Sequence, residues 1–248
     1  MRGDHHGKDN YDTAIRLRRG GRSRINDLSA GASISAAKLA ATTAVVGTIG
    51  TVASGLMFPE ANGDVRFPES SCGSGRGSIL VAYASEFGTT GEIAEPIASA
   101  LCGAGATVDT RQIRNVEDLS GYSAVVIGGA IQYDNWMSEA RDFVTRNEDA
   151  LSRMPVAYFF TCMVLSKPSD KADSKADGYA KKLEAVSQRV TPVAVGRFAG
   201  VLDYGRMNLR TRIASKILYT MLRVGPGDYR DWKAIKSWVN ELHPEMTR

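Results

Sequence analysis

The chain has little of what builds metal centres, disulfide frameworks or nucleophilic triads. Among its 248 residues are only three cysteines (Cys72, Cys102 and Cys162), too few and too scattered for a disulfide framework or a zinc site. His5 and His6 stand at the start and His243 at the far end, so no metal site is expected. No Ser/His/Asp or Cys/His constellation lies near the loops described below, and no catalytic acid or base is assigned. The triphosphate loop G-x-x-x-x-G-K-[ST] and the dinucleotide fingerprint G-x-G-x-x-G are both missing. Gly73-Ser74-Gly75-Arg76-Gly77 precedes a strand pattern instead of following one, and reads as linker. Charge imbalance is equally scarce beyond the first residues. Residues 1–38 hold eight Lys/Arg and four Asp/Glu, and the rest of the chain has 23 of each. The net charge of +4 is therefore an N-terminal property, which argues against a nucleic-acid-binding face.

What the chain does have centres on Ser85-Glu86-Phe87-Gly88-Thr89-Thr90, directly after the apolar run Ile79-Leu80-Val81-Ala82-Tyr83. A buried strand enters a short turn, and a helical pattern begins at once with Glu92-Ile93-Ala94. That geometry aims backbone N–H groups and the positive end of a helix dipole at one spot. Ser85, Thr89 and Thr90 add hydroxyl donors, and Gly88 permits close approach. Neutral donors without a cation suit a single phosphomonoester. A second stretch, Ala124-Val125-Val126-Ile127-Gly128-Gly129-Ala130-Ile131-Gln132-Tyr133 followed by Trp136, is a buried strand ending in small residues and then two aromatic rings.

Ser85-x-x-Gly88-x-Thr90 after a first strand resembles the flavin mononucleotide (FMN) phosphate loop of the flavodoxin family, and the second stretch resembles the place where that family holds the isoalloxazine ring. The resemblance implies FMN as cofactor. Its contacts would be Ser85, Glu86, Phe87, Gly88, Thr89 and Thr90 on one loop, and Gly129, Ala130, Ile131, Gln132, Tyr133 and Trp136 on the other. Small residues at Gly128 and Gly129 would leave room for the ring, with Tyr133 or Trp136 stacking on it. Cys162, just after a later strand, is included as a neighbour of the ring, although a buried structural thiol is the commoner role.

The remaining chain divides readily. Residues 1–38 are polar and basic and read as disordered. Residues 39–58 carry no charge and are just long enough to span a bilayer, as a signal or an anchor. The pair Arg18-Arg19 resembles a twin-arginine export signal, although Gly20-Gly21 replaces the hydrophobic residues expected next. The basic residues preceding this segment would leave the N-terminus in the cytoplasm and the domain outside, with the cytoplasmic face of the membrane as the alternative. Residues 59–77 read as a linker.

From residue 78 strand and helix signals alternate, with strands near residues 79–83, 107–113, 124–128 and 155–161 and a fifth, single or split, across 193–202. The expected fold is α/β, a flavodoxin-like doubly wound five-stranded parallel sheet in the order 2-1-3-4-5, with an N-terminal extension containing one apolar segment. Response-regulator receivers share this order but need an acidic cluster where this chain has Tyr83-Ala84-Ser85.

Between the fifth strand and the last helix lies an element that a minimal flavodoxin does not need. Leu209, Ile213, Ile217 and Met221 recur at helical spacing, and Arg206, Arg210, Arg212, Lys216 and Arg223 accompany them without an acid in the segment. Phe198-Ala199-Gly200-Val201-Leu202-Asp203-Tyr204, this helix, Gly225-x-Gly227 and Asp231-Trp232 together resemble the menaquinone-dependent protoporphyrinogen oxidases. That family passes electrons from a tetrapyrrole through FMN to a membrane quinone. The resemblance implies an oxidoreductase with a quinone or a redox protein as partner. The uncharged length of residues 39–58 points to a membrane, and the basic helix 206–223 has two readings, docking on that membrane or packing on the core with a solvated cationic face. A membrane-tethered flavodoxin-type electron carrier without a substrate site is the alternative.

Overall fold

The computed structural model describes residues 65–74 and 78–247. The basic region 1–38, the apolar segment 39–58 and the export signal read there lie outside the described residues.

The strand Ser78–Ala84 (β2) is buried along nearly its whole length. Alternate side chains of a strand point to opposite faces, and both faces of this one meet helices. Ile79, Val81 and Tyr83 join Ile93, Ile97 and Leu101 of helix Thr89–Gly103 (α1) and Trp238, Val239 and Leu242 of helix Trp232–Met246 (α6). Leu80, Ala82 and Ala84 face the other way, toward Phe143 and Val144 of helix Ser138–Arg146 (α2) and Tyr179 and Leu183 of helix Asp170–Glu184 (α4). A short helix, Glu148–Leu151 (α3), follows α2. Two apolar layers on one sheet explain why the central strands read as continuous hydrophobic runs instead of alternating ones.

The other parallel strands are Thr107–Gln112 (β3), Tyr122–Gln132 (β4), Val156–Cys162 (β6) and Ala194–Ala199 (β7), hydrogen-bonded in the order β3-β2-β4-β6-β7. This is the expected 2-1-3-4-5 arrangement. A two-residue strand, Asn135–Trp136 (β5), folds back on the end of β4. The fifth strand is single: β7 runs unbroken through Ala199, and the next pair, Val201–Leu202 (β8), leaves the sheet to pair with Gly227–Asp228 (β9). Between β8 and β9 lies the helix Leu209–Met221 (α5), shorter than the basic segment 206–223.

The described part of the expected linker is structured. Ser70–Cys72 (β1) pairs antiparallel with β3, placing Cys72 opposite Val108. Cys72 is disulfide-bonded to Cys102 at the end of α1, with Cα atoms 6.2 Å apart. The cysteines thus do form one disulfide, against expectation. They are 30 residues apart, and only the pairing of β1 with β3 brings them together. Among the described residues no helix is long and apolar enough to cross a membrane.

Candidate functional site

The order in which strands are added across the sheet reverses at β2, since β3 pairs on one side and β4 on the other, both parallel to it. At such a switch point the loops that leave the carboxyl ends of β2 and β4 diverge. The Ser85–Thr90 turn and the β4–β5 turn both lie there.

The start of α1 presents backbone donors and a tightly placed glycine. Gly88 adopts φ +80°, a conformation that a side chain resists, and its place is further restricted by Arg66 O, 2.7 Å from where a Cβ would stand. No side chain caps this helix, as none caps α2 or α3, whereas Ser169, Asn208 and Asp231 cap α4, α5 and α6. The first-turn N–H groups of α1 are consequently left for another acceptor. Ser85 and Thr90 are buried beside them. Thr90 Oγ1 lies 3.3 Å from Thr161 Oγ1, so strand β6 supplies a third hydroxyl to the cluster. Thr161 was missed in the sequence; its one signal is a polar residue at the end of an otherwise apolar run.

The two loops touch directly. Gln132 Nε2 donates to Glu86 Oε2 at 2.7 Å, and burial raises the Glu86 pKa above the ordinary carboxylate range, with that hydrogen bond opposing the shift. Tyr133 is more than half exposed (57%) at the tip of the β4–β5 hairpin, where it and Asp134 adopt φ +50° and +60°. Such left-handed pairs fit tight hairpins but are unfavourable for side chains other than Gly or Asn, and need external support. Asp134 provides it by accepting from Tyr179 Oη at 2.5 Å and pairing with Lys175 at 3.0 Å, both on α4.

The two candidate stacking rings, Tyr133 and Trp136, fall on different sides. Trp136 turns inward and is 2% exposed, its ring 5.2 Å from that of Tyr158. A Cβ on Gly129 would lie 2.4 Å from Trp136 Nε1, and one on Gly128 2.1 Å from the Phe159 ring. The protein's own aromatics, Phe159 and Trp136, thus fill the space that a side chain would take at these glycines. Ala130 and Ile131 continue β4 beyond them into partial exposure, toward Tyr133. Cys162 is buried among the apolar side chains between the sheet and α4. Burial pushes its thiol up to about 11, against weaker lowering by the Leu165 and Val164 backbone, so it stays protonated near neutrality.

Charge arrives from the insert after β7, whose Arg206 reaches the first turn of α1 across 114 residues of sequence. Arg206 Nη1 donates to Phe87 O in the turn at 3.2 Å and to Glu92 Oε1 at 2.6 Å. Arg230 takes the other Glu92 oxygen at 2.7 Å. A carboxylate in the first turn of α1 would repel an anion bound there; these two guanidinium groups offset it. Arg206 also pairs with Asp203, so it is not one of the unpaired cations that the sequence suggested. Leu202, Met207 and Val224 of the insert pack with Phe87, Met163 and Tyr219, covering one flank of the turn.

A family model described as Flavodoxin domain matches residues 80–228. The chain belongs to the flavodoxin-domain family. The protein named protoporphyrinogen IX dehydrogenase (quinone) in Escherichia coli strain K12 is 29% identical over 171 residues, covering 66% of this flavodoxin-domain protein and 93% of that relative. A Leishmania major protein of the same name is 27% identical over 176 residues, covering 66% and 73%. Among solved structures, a flavodoxin from Pseudomonas aeruginosa aligns with TM-score 0.42 and 10% identity over 69% of this chain and 99% of its own.

Proposed function

We propose that this flavodoxin-domain oxidoreductase binds FMN at the carboxyl ends of β2, β4 and β6, oxidises a tetrapyrrole of the protoporphyrinogen type and delivers the electrons to a quinone. The observation that carries the FMN reading is the uncapped start of α1 beside buried Ser85, Thr90 and Thr161. These residues offer donors to a phosphate, and the first-turn carboxylate of Glu92 is offset by Arg206 and Arg230. FMN, when bound, supplies the redox chemistry, and the protein supplies binding, orientation and electrostatics. Ser85 and Thr90 would hold the phosphate, Gly88 admits it, and Tyr133 offers an exposed aromatic face at the hairpin. Glu86, whose pKa is raised by burial, places a carboxyl group between the two loops. The tetrapyrrole and the quinone are supported by the two relatives' names and by the β8–α5–β9 insert, which an electron carrier does not need.

The domain is proposed to lie outside the cytoplasm, at the membrane reached by residues 39–58. The Cys72–Cys102 disulfide supports this side, because such bonds persist in oxidising compartments and are rare in the cytosol. A C-terminal reporter fusion tests the side, and thiol trapping in intact cells reads the state of the cysteines.

The activity test incubates the flavin-loaded chain anaerobically with protoporphyrinogen and a soluble menaquinone analogue, following porphyrin fluorescence. Quinone-dependent appearance of porphyrin supports the enzyme reading. Bound flavin that is reduced by an external reductase but never by the tetrapyrrole makes the chain a carrier instead.

A further inference from the structure

Helix α5 keeps its apolar ridge out of the protein. Leu209 is 67% exposed, Ile213 52%, Ile217 57% and Met221 66%, and Leu222 just beyond them is 49% exposed. Residues four apart stand one above the next on a helix, so the first four form a continuous ridge along its length. The opposite side of α5 is already occupied, since Tyr219 packs into the cluster that covers Phe87 and Met163. The side chains spaced for burial therefore face solvent.

The cations sort themselves around this ridge. Arg206 is consumed by Glu92 and Asp203, and Arg212 turns back to donate to Met207 O at 3.1 Å. Arg210, Lys216 and Arg223 remain exposed, and among the described residues no carboxylate pairs with them. Stepping 100° per residue puts Arg210 on one side of the ridge and Lys216 on the other. Lys167, from the loop after β6, donates to Leu222 O at the end of the helix and adds a further cation there.

We propose that this face of α5 docks in the plane of an anionic lipid bilayer, with Leu209, Ile213, Ile217 and Met221 in the acyl boundary and Arg210, Lys216 and Arg223 at the headgroups. An exposed apolar ridge flanked by long cationic side chains fits a lipid interface, where the stems lie along apolar material and the charges reach phosphates. A second copy fits poorly: a two-fold contact through this ridge would bring like charges together with no acid to pair them. The docked helix would leave the Phe87 flank of the turn one helix diameter from the membrane, about 10 Å. The proposal goes beyond the enzymatic reading and does not depend on it.

The test uses the full chain with Ile217→Cys carrying a nitroxide. Cys162 is buried and Cys72 is bonded to Cys102, so the label goes to the introduced thiol. A second chain with Arg153→Cys, just before β6 at the amino ends of the strands, serves as the control position. With vesicles of equimolar phosphatidylcholine and phosphatidylglycerol, the Ile217 label should become accessible to oxygen and shielded from a water-soluble nickel chelate, while the Arg153 label stays in water. Reading the label locally separates α5 docking from any anchoring by residues 39–58. Combined Arg210→Gln, Lys216→Gln and Arg223→Gln should reduce insertion of the label about tenfold or more at low salt, and Lys replacements at the two arginines should restore it. A label that stays aqueous on these vesicles overturns the proposal. So does one already shielded without vesicles, which would mean that another part of the chain or a second copy covers the face. Equal insertion into pure phosphatidylcholine, or no effect of the triple change, removes the anionic-lipid assignment.

Discussion

Gln132 at the end of β4 donates to Glu86 in the turn after β2 at 2.7 Å, joining the two loops that the sequence assigns to separate parts of one ligand. The carboxyl is held at a raised pKa mainly by burial. Its protonated form is therefore favoured by folding, and that contribution is present at low pH and lost as pH rises through the folded-state pKa. Glu86→Gln should leave stability unchanged in acid and raise it above that pKa, as read by melting temperature against pH. The same variant should flatten the pH dependence of FMN affinity, because a carboxylate between the loops opposes an anionic ligand.

Ser85→Ala combined with Thr90→Ala should weaken FMN much more than riboflavin, which has no phosphate. A hydrogen bond to a charged acceptor is worth about 1.5–3 kcal/mol, so two lost together give a loss on the order of a hundredfold or more. Fluorescence titration with both ligands decides it. Equal weakening of both would show that these hydroxyls do not reach the phosphate.

The two aromatic residues of the β4–β5 hairpin should behave oppositely. Trp136→Ala removes a buried ring packed on Tyr158 and should cost about 3–5 kcal/mol of stability. Tyr133→Ala, at an exposed position, should leave the melting temperature of the flavin-free protein nearly unchanged and weaken flavin binding. Denaturant melts and flavin titrations on the same two variants separate the roles.

Gly128→Ala would put a methyl group 2.1 Å from the Phe159 ring, which is itself fully buried. Overpacking of this kind costs about 1–3 kcal/mol. The variant should unfold at lower denaturant while its far-ultraviolet spectrum stays α/β. An unchanged midpoint would mean that the ring moves aside freely.

Replacing Cys72 and Cys102 with Ser should lower the melting temperature by about 5–15 °C, from a disulfide contribution of roughly 2–4 kcal/mol. The segment released includes Arg66, whose carbonyl touches Gly88, and Pro68, whose carbonyl accepts from Tyr83 Oη at 3.2 Å. FMN affinity should fall with it, and isothermal titration of the double variant measures by how much.

The alternation of apolar runs and helical patterns, with Ser85-x-x-Gly88-x-Thr90 at the first junction, was enough to determine the α/β class, the strand order and the position of that strand-to-helix turn. Those features are local, because a strand, a tight turn and a helix start are each written in a few adjacent residues. The sequence also marked the basic segment 206–223, since a run of cations without acids is visible in one dimension. Which way its side chains face is not a local property. Only the tertiary structure decided that Arg206 reaches Glu92 across 114 residues while Leu209, Ile213, Ile217 and Met221 stay in solvent. It also decided that Trp136 belongs to the core and Tyr133 to the surface, because the turn of the β4–β5 hairpin sets the face on which each ring falls. The strand Ser70–Cys72 and its disulfide were illegible for the same reason. Three polar residues become a strand only when β3 offers an edge, and two distant thiols become a bond only when that pairing brings their Cα atoms to 6.2 Å.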